Sequence, residues 1–182
     1  GDGDSDGDGD GDGDRDGDGD GGDVKVVPRF ILTEGDGNTD KGMKIEWSTI
    51  VNGRLYIGSF GKEFTAPNGD VINSNNLWIA VLDHKGHVSR FDWGEIYLKI
   101  RAAVGCESPG YLIHEAVLWS HEMKRWVFLP RRVSRTAYHE VEDERKGSNL
   151  VIFADERFDS IETLFIDFAE SEGGLRGFSS AA

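Results

Sequence analysis

Glu115 lies in the run Tyr111-Leu112-Ile113-His114-Glu115-Ala116-Val117-Leu118-Trp119, and that run offers it no wet face. In an extended strand Tyr111, Ile113, Val117 and Trp119 share its side while Leu112, Ala116 and Leu118 take the other, so both sides are mainly apolar. A carboxylate held there loses hydration at high cost unless a cation or several donors meet it. Two kinds of partner answer that need: a metal ion, or an ion pair with an arginine such as Arg131 or Arg132. Those two arginines follow Pro130 and carry the planar fork that grips a phosphate through paired hydrogen bonds. The plainer reading is an exposed basic pair at a strand end. Glu46 is a second carboxylate in strand-like surroundings, although Lys44, Glu46 and Ser48 alternate as the wet face of an ordinary strand would. The glycine-bracketed turn 58–62 could bring Lys62 to an anion, but it matches no phosphate-loop spacing.

Several other readings fail on spacing. His114 followed by Glu115 invites a zinc-protease motif, but the second histidine would fall at Leu118. His84, His87, His121 and His139 show no ligand spacing and read as surface or turn positions. Cys106, the single cysteine, reads as a small buried residue and leaves no intrachain disulfide to form. The first 23 residues are an almost pure alternation of glycine and aspartate, interrupted by Ser5, Arg15 and the pair Gly21-Gly22. Asp2, Asp4, Asp6 and Gly7 begin an EF-hand loop, yet its closing glutamate would fall on Gly13, and the segment has none of the apolar residues a calcium-binding β-roll needs. A disordered polyanion is the expectation for this tail. Asp36, Asn38 and Asp40 repeat the near miss, with Lys41 where the loop needs glycine.

The elements that must position these groups are short strands. The chain of 182 residues carries a formal charge of -14, of which the tail supplies -10, leaving 23 acidic against 19 basic residues in the part that folds. That excludes a basic nucleic-acid footprint. No stretch approaches the roughly 18 consecutive apolar residues that cross a bilayer. From Val24 onward the pattern predicts strands at 26–33, 44–50, 54–58, 77–82, 88–91, 111–120, 125–129, 150–154 and 162–168. Asn52-Gly53 supplies the positive φ of a tight hairpin. One helix is predicted over 93–104, with Ile96, Tyr97, Ile100, Ala103 and Val104 on its apolar face, Asp92 as cap and Gly105 as stop. The charged segment 142–147 reads as a solvated loop. At roughly 40 to 50 residues per four-stranded blade, this length supplies about three propeller blades. A weak internal repeat agrees: Glu46-Trp47 leads through a turn to Arg54-Leu55-Tyr56-Ile57, and Glu115-Ala116 leads through a turn to Arg125-Trp126-Val127-Phe128.

The chain from Val24 to Ser180 resembles the calcium-activated apyrase family, which includes soluble vertebrate nucleotidases and blood-feeding insect apyrases. Eight colinear segments carry the likeness: LTEGDG at 32–37, KIEW at 44–47, LYIGSFGKE at 55–63, RAAVG at 101–105, PGYLIHE at 109–115, RWVFLPRR at 125–132, DERKGSNL at 143–150 and GFSS at 177–180. The resemblance implies an all-β fold, a five-bladed β-propeller with calcium in its central channel near the nucleotide phosphates. This chain would supply about three blades and one short helical insertion over 24–182, after the tail at 1–23. It further implies that Glu46 and Glu115 are calcium-shell carboxylates and that Ser179 adds an oxygen. Arg131 would be the phosphate-binding arginine, with Arg132 beside it on the substrate and with Lys62 and Glu63 as neighbours in the catalytic set.

The implied reaction is calcium-dependent hydrolysis of nucleoside di- and triphosphates to shorter phosphates plus orthophosphate, with no covalent intermediate and no water-activating base assigned. Nucleic acid is not an expected partner, and no membrane segment is expected. Relatives of this type work in the secretory lumen or outside the cell. The family's earlier active-site segments and its last blade have no counterpart in these residues, so the chain alone is expected to bind calcium poorly and hydrolyse little. The competing reading is a non-catalytic calcium-binding or interaction module derived from an apyrase propeller, with the acidic tail as a solubility or cation-buffering arm.

Overall fold

Asn52 and Gly53 both adopt positive φ, 50° and 75°, and fold β1 (Trp47–Val51) back on β2 (Arg54–Gly58) in an antiparallel hairpin. The computed structural model in which this is seen describes residues 25, 27–167 and 176–181. The glycine-aspartate tail and residue 168 of the predicted last strand lie outside the described residues. The chain divides into two units, 1–30 and 31–182; of the first, residues 25 and 27–30 are described and are exposed coil.

In the second unit β1 and β2 continue into a sheet completed by β5 and β6. Before these come β3 (Phe64–Thr65) and β4 (Val71–Asn73), which pair only with each other. Then follow β5 (Trp78–Leu82) and β6 (Val88–Asp92), and the first sheet runs in the order β1-β2-β5-β6. Helix α1 (Gly94–Ala103) follows at once; its N-cap position is Trp93 rather than the expected Asp92 and makes no side-chain cap, while Asp92, one residue earlier, accepts the Gly94 N–H on Oδ1 at 2.8 Å. Gly105 stops it at φ 68°. Two long strands, β7 (Tyr111–Ser120) and β8 (Arg125–Ser134), then lead through the short helix α2 (Glu140–Asp143) to β9 (Leu150–Ala154) and β10 (Ile161–Phe165). The second sheet has the order β10-β9-β8-β7. Each four-stranded sheet therefore begins with a β-hairpin bearing the internal repeat, and β1 and β7 are the matching edges. Those edges lie side by side: the Trp119 N–H donates to Thr49 Oγ1 at 3.0 Å, and His121 Nε2 meets the Ile50 carbonyl at 3.1 Å.

The core between the sheets is an aromatic cluster of Trp47, Trp93, Tyr97, Trp119, Trp126, Phe128 and Phe158, into which Cys106 is also buried. Helix α1 contributes Tyr97 and Ile100 to it as expected, whereas Ala103 is exposed and the buried position is taken by Arg101. Of the strand predicted at 26–33, the described residues 27–33 form none; Leu32 and Thr33 only bridge to the segment 42–43, because the Gly35-Asp36-Gly37 turn closes a loop and no neighbouring strand among the described residues extends the ladder. The described residues make two four-stranded sheets and a two-stranded one, where chain length suggested about three blades; α1 and the β3–β4 insertion account for much of the difference. No helix among the described residues is long and apolar enough to cross a membrane.

Candidate functional site

The ladder between β7 and β8 breaks at the two residues that chemistry singles out. His114 stands opposite Pro130, which has no N–H for the ladder, and the His114 N–H turns instead to the Phe60 carbonyl at 3.0 Å. Irregularities on either side of that pair leave Arg131 in β8 and Glu115 in β7 without cross-strand partners. Bulges re-aim side chains, and these two aim at each other: Arg131 Nη1 donates to both Glu115 oxygens at 2.7 Å. The arginine ion pair anticipated for Glu115 is thus present, with Glu115 only 14% exposed and Arg131 44%. The bulge also breaks the strict two-sided alternation expected of this strand, since Ala116 and Val117 are both buried.

Glu46, just ahead of β1, is equally enclosed at 14% side-chain exposure, so the wet-face reading does not hold. Lys44 Nζ stands 2.9 Å from its Oε1, but off the line a hydrogen bond requires, and that buried oxygen has no hydrogen-bond partner. Glu46, Glu115 and Ser179 line one cavity of about 240 Å³. Ser179 reaches it because Gly177 runs against the Arg131 backbone, where any Cβ would collide with the Arg131 carbonyl oxygen. An orphaned carboxylate oxygen beside a second carboxylate and a hydroxyl is an oxygen-only donor set, the kind that suits a hard cation such as calcium. It is a sparse set: among the described residues no group of three or more Asp, Glu, His or Cys side chains converges as a metal site.

A second cavity, about 410 Å³, shares Glu46 and Glu115 and is lined by Lys44, Lys62, Arg131 and Arg132. Lys62 is buried at 4% exposure, donating to Thr65 Oγ1 at 2.7 Å and the Glu63 carbonyl at 2.9 Å, with the Tyr138 ring centroid 4.4 Å from its ammonium. Burial pushes its pKa down to about 8, against the pull of Glu63 and Asp143. Glu63 does not line this cleft. Its carboxylate is committed to Arg101, at 2.9 and 3.0 Å, and although burial opposes ionisation that guanidinium holds it below its usual range.

A family model described as Apyrase matches residues 19–182. The chain belongs to the apyrase family. It is 48% identical over 137 residues to soluble calcium-activated nucleotidase 1 of Rattus norvegicus, covering 75% of this chain and 34% of that protein. It is 39% identical over 158 residues to an apyrase of Cimex lectularius and 37% identical over 158 residues to apyrase apy-1 of Caenorhabditis elegans. Each alignment covers 87% of this chain, and the chain spans 43% and 44% of those two relatives.

Within this member of the apyrase family the structure adds residues that the sequence left in the background. Asp143, in the segment read as a solvated loop, ends α2 and is half-buried: Tyr111 Oη donates to its Oδ1 at 2.5 Å, and Arg132 Nε stands 3.7 Å from its Oδ2, near enough for charge but too far for a hydrogen bond. Burial, then the Asp143 contact, raises the Tyr111 pKa. Tyr111, 32 residues earlier, makes this pocket, so no local pattern announces it. His114 is fully buried, stacked on Tyr97 at 5.5 Å, and burial with the nearby Arg101 charge lowers its pKa to about 3, which leaves it a neutral core residue. His84, His87, His121 and His139 are exposed.

Proposed function

We propose that these residues form the metal- and phosphate-binding portion of a calcium-dependent hydrolase that converts nucleoside di- and triphosphates to shorter phosphates plus orthophosphate. The observation that carries this reading is that Glu46 and Glu115 belong at once to a cavity with Ser179 and to a cleft with Lys62, Arg131 and Arg132. Glu46, Glu115 and Ser179 would hold calcium, whose chemistry in such a site is to neutralise phosphate charge and orient the attacked group. Charge balance supports the dependence. The cleft is lined by four basic residues (Lys44, Lys62, Arg131, Arg132) and five acidic ones (Glu46, Glu115, Glu140, Asp143, Glu144), a formal sum of -1 that does not favour a polyphosphate. One divalent cation turns that sum to +1.

Arg131 is the phosphate-gripping and charge-stabilising residue, with Arg132 beside it and set by Asp143. In the structure Arg131 and Glu115 satisfy each other. A cation on Glu115 and a phosphate on Arg131 are therefore the two exchanges that open the pair. Lys62 adds a positive charge that is present below about pH 8. Glu63 acts at one remove, through Arg101, whose Nη2 also holds the Gly61 carbonyl at 3.2 Å in the turn that carries Lys62. Two four-stranded antiparallel sheets with matching edges side by side support reading them as neighbouring blades of a propeller, β1 and β7 innermost. A set of two carboxylates and one hydroxyl fits a weak site of the kind that fills where calcium is abundant, in the secretory lumen or outside the cell.

The test is orthophosphate release from UDP and GDP by the complete polypeptide, with calcium and with a calcium chelator. Calcium-dependent release that Glu115→Gln and Arg131→Ala both remove is the expected result. Release indifferent to calcium contradicts the reading, and calcium-dependent nucleotide binding without release would favour a non-catalytic module.

A further inference from the structure

At the far end of β1 from Glu46 lies a larger cleft, about 770 Å³, that has no residue in common with the two cavities described above. It is bounded by both sheets, with Tyr56 and Phe91 from the first and Trp126 from the second, by Phe158 in the turn between β9 and β10, and by Trp93 just ahead of α1. Its volume lies within the ~300–1,000 Å³ of sites that hold small organic ligands. Trp93, Trp126 and Phe158 are packed into the core at 3–6% exposure, with Trp93 and Trp126 edge to face at 5.2 Å and the half-buried Tyr56 against Trp126 at 5.6 Å, so the ring surface left for a ligand is that of Tyr56 and Phe91. Phe91 is 48% exposed in this otherwise buried cluster.

The rim carries Arg54, Arg157 and Glu156. Among the described residues none of the three is in an ion pair, in contrast to Glu46, Glu115, Arg131 and Arg132 in the candidate active site. Two guanidiniums against one carboxylate leave a net positive rim above an aromatic floor. That combination takes a planar ring bearing a small negative charge, since the ring stacks and the anion meets arginine donors.

We propose that this cleft binds a nucleoside monophosphate, its base against the aromatic rings and its phosphate at Arg54 and Arg157. A monophosphate matches the rim better than a triphosphate, whose charge exceeds what two arginines beside Glu156 can neutralise. The site requires no calcium and does not depend on the hydrolytic reading.

The experiment is a titration of the 182-residue chain with GMP in the presence of a metal chelator, read by quenching of tryptophan fluorescence and by calorimetry. Saturable binding is expected, weakened about tenfold by Arg54→Ala and by Arg157→Ala. Phe91→Ala, at a half-exposed position that folding tolerates, should weaken it too, Glu156→Gln should tighten it, and uncharged guanosine should bind less well than GMP. Arg131→Ala should leave it unchanged. The proposal is overturned if GMP fails to saturate at millimolar concentration, if the Arg54 and Arg157 variants bind as the parent does, or if Arg131→Ala removes the binding and so assigns it to the candidate active site.

Discussion

Glu46 and Glu115 occupy matching places in two repeated hairpins and are equally enclosed, yet their partners differ. Glu115 takes two hydrogen bonds from Arg131, while Glu46 has only a misaligned Lys44 and one orphaned oxygen. The difference comes from β8. Pro130 interrupts that ladder and turns Arg131 onto Glu115, whereas β2 pairs with β1 in regular register from Trp47 to Val51 and offers no such donor. A repeat can therefore bring two carboxylates to one cavity, and a local irregularity decides which of them is already neutralised.

The largest effect should come from taking away the better-neutralised member. Glu115→Gln is expected to cost on the order of a hundredfold or more in calcium affinity, with only a modest loss of folding stability. Calcium-activated turnover at the parent level in that variant would break the assignment. Arg131→Ala sharpens the comparison from the other side: kcat/KM for a nucleoside diphosphate should fall by about 10²–10³ while calcium binding is kept or strengthened, because Glu115 is then free. Equal losses of calcium and nucleotide binding would show the pair acting only as a structural clasp.

Much of this arrangement was legible in the sequence, and the reasons are local. Asn52-Gly53 announces its hairpin because few other residues accept two positive φ angles in succession. The Tyr97 and Ile100 spacing gives α1. Glu115 reads as a carboxylate in need of a partner, and its apolar neighbours made the arginine ion pair foreseeable. The bulges were not, since they depend on Pro130 meeting His114 across a register that only the folded sheet fixes. The same holds for Asp143, whose burial is made by Tyr111, and for Glu63, whose adjacency to Lys62 in sequence hides that it faces Arg101. The strand expected at 26–33 failed over the described residues 27–33 because alternation alone supplies no neighbour to pair with.

Smaller effects test the frame that holds the two glutamates. Gly61 adopts φ 68°, and a Cβ there would stand 2.5 Å from the Tyr97 ring and 2.9 Å from His114. Gly61→Ala should destabilise the chain by roughly 1–3 kcal/mol in chemical denaturation, and no change would mean that the Lys62 turn is not clamped there. His114 is neutral in the fold with a pKa near 3, while in the unfolded chain it takes up a proton near its ordinary value. Its contribution is therefore fully present above about pH 6.5 and is lost as pH falls toward 3, at up to about 1.4 kcal/mol per pH unit. In His114→Phe that part of the acid slope should disappear from urea titrations run at a series of pH values.

The most direct test uses Trp47, which lines the small cavity beside Glu46. Terbium, a hard trivalent ion that occupies calcium sites, emits when a neighbouring tryptophan is excited, so emission through Trp47 reports this cavity rather than the glycine-aspartate tail, which contains no tryptophan of its own. Sensitised emission that calcium displaces, and that Glu46→Gln, Glu115→Gln and Trp47→Phe each abolish, is the predicted result. Undiminished, calcium-displaceable emission from Glu115→Gln would contradict the claim that the two glutamates converge on one cation.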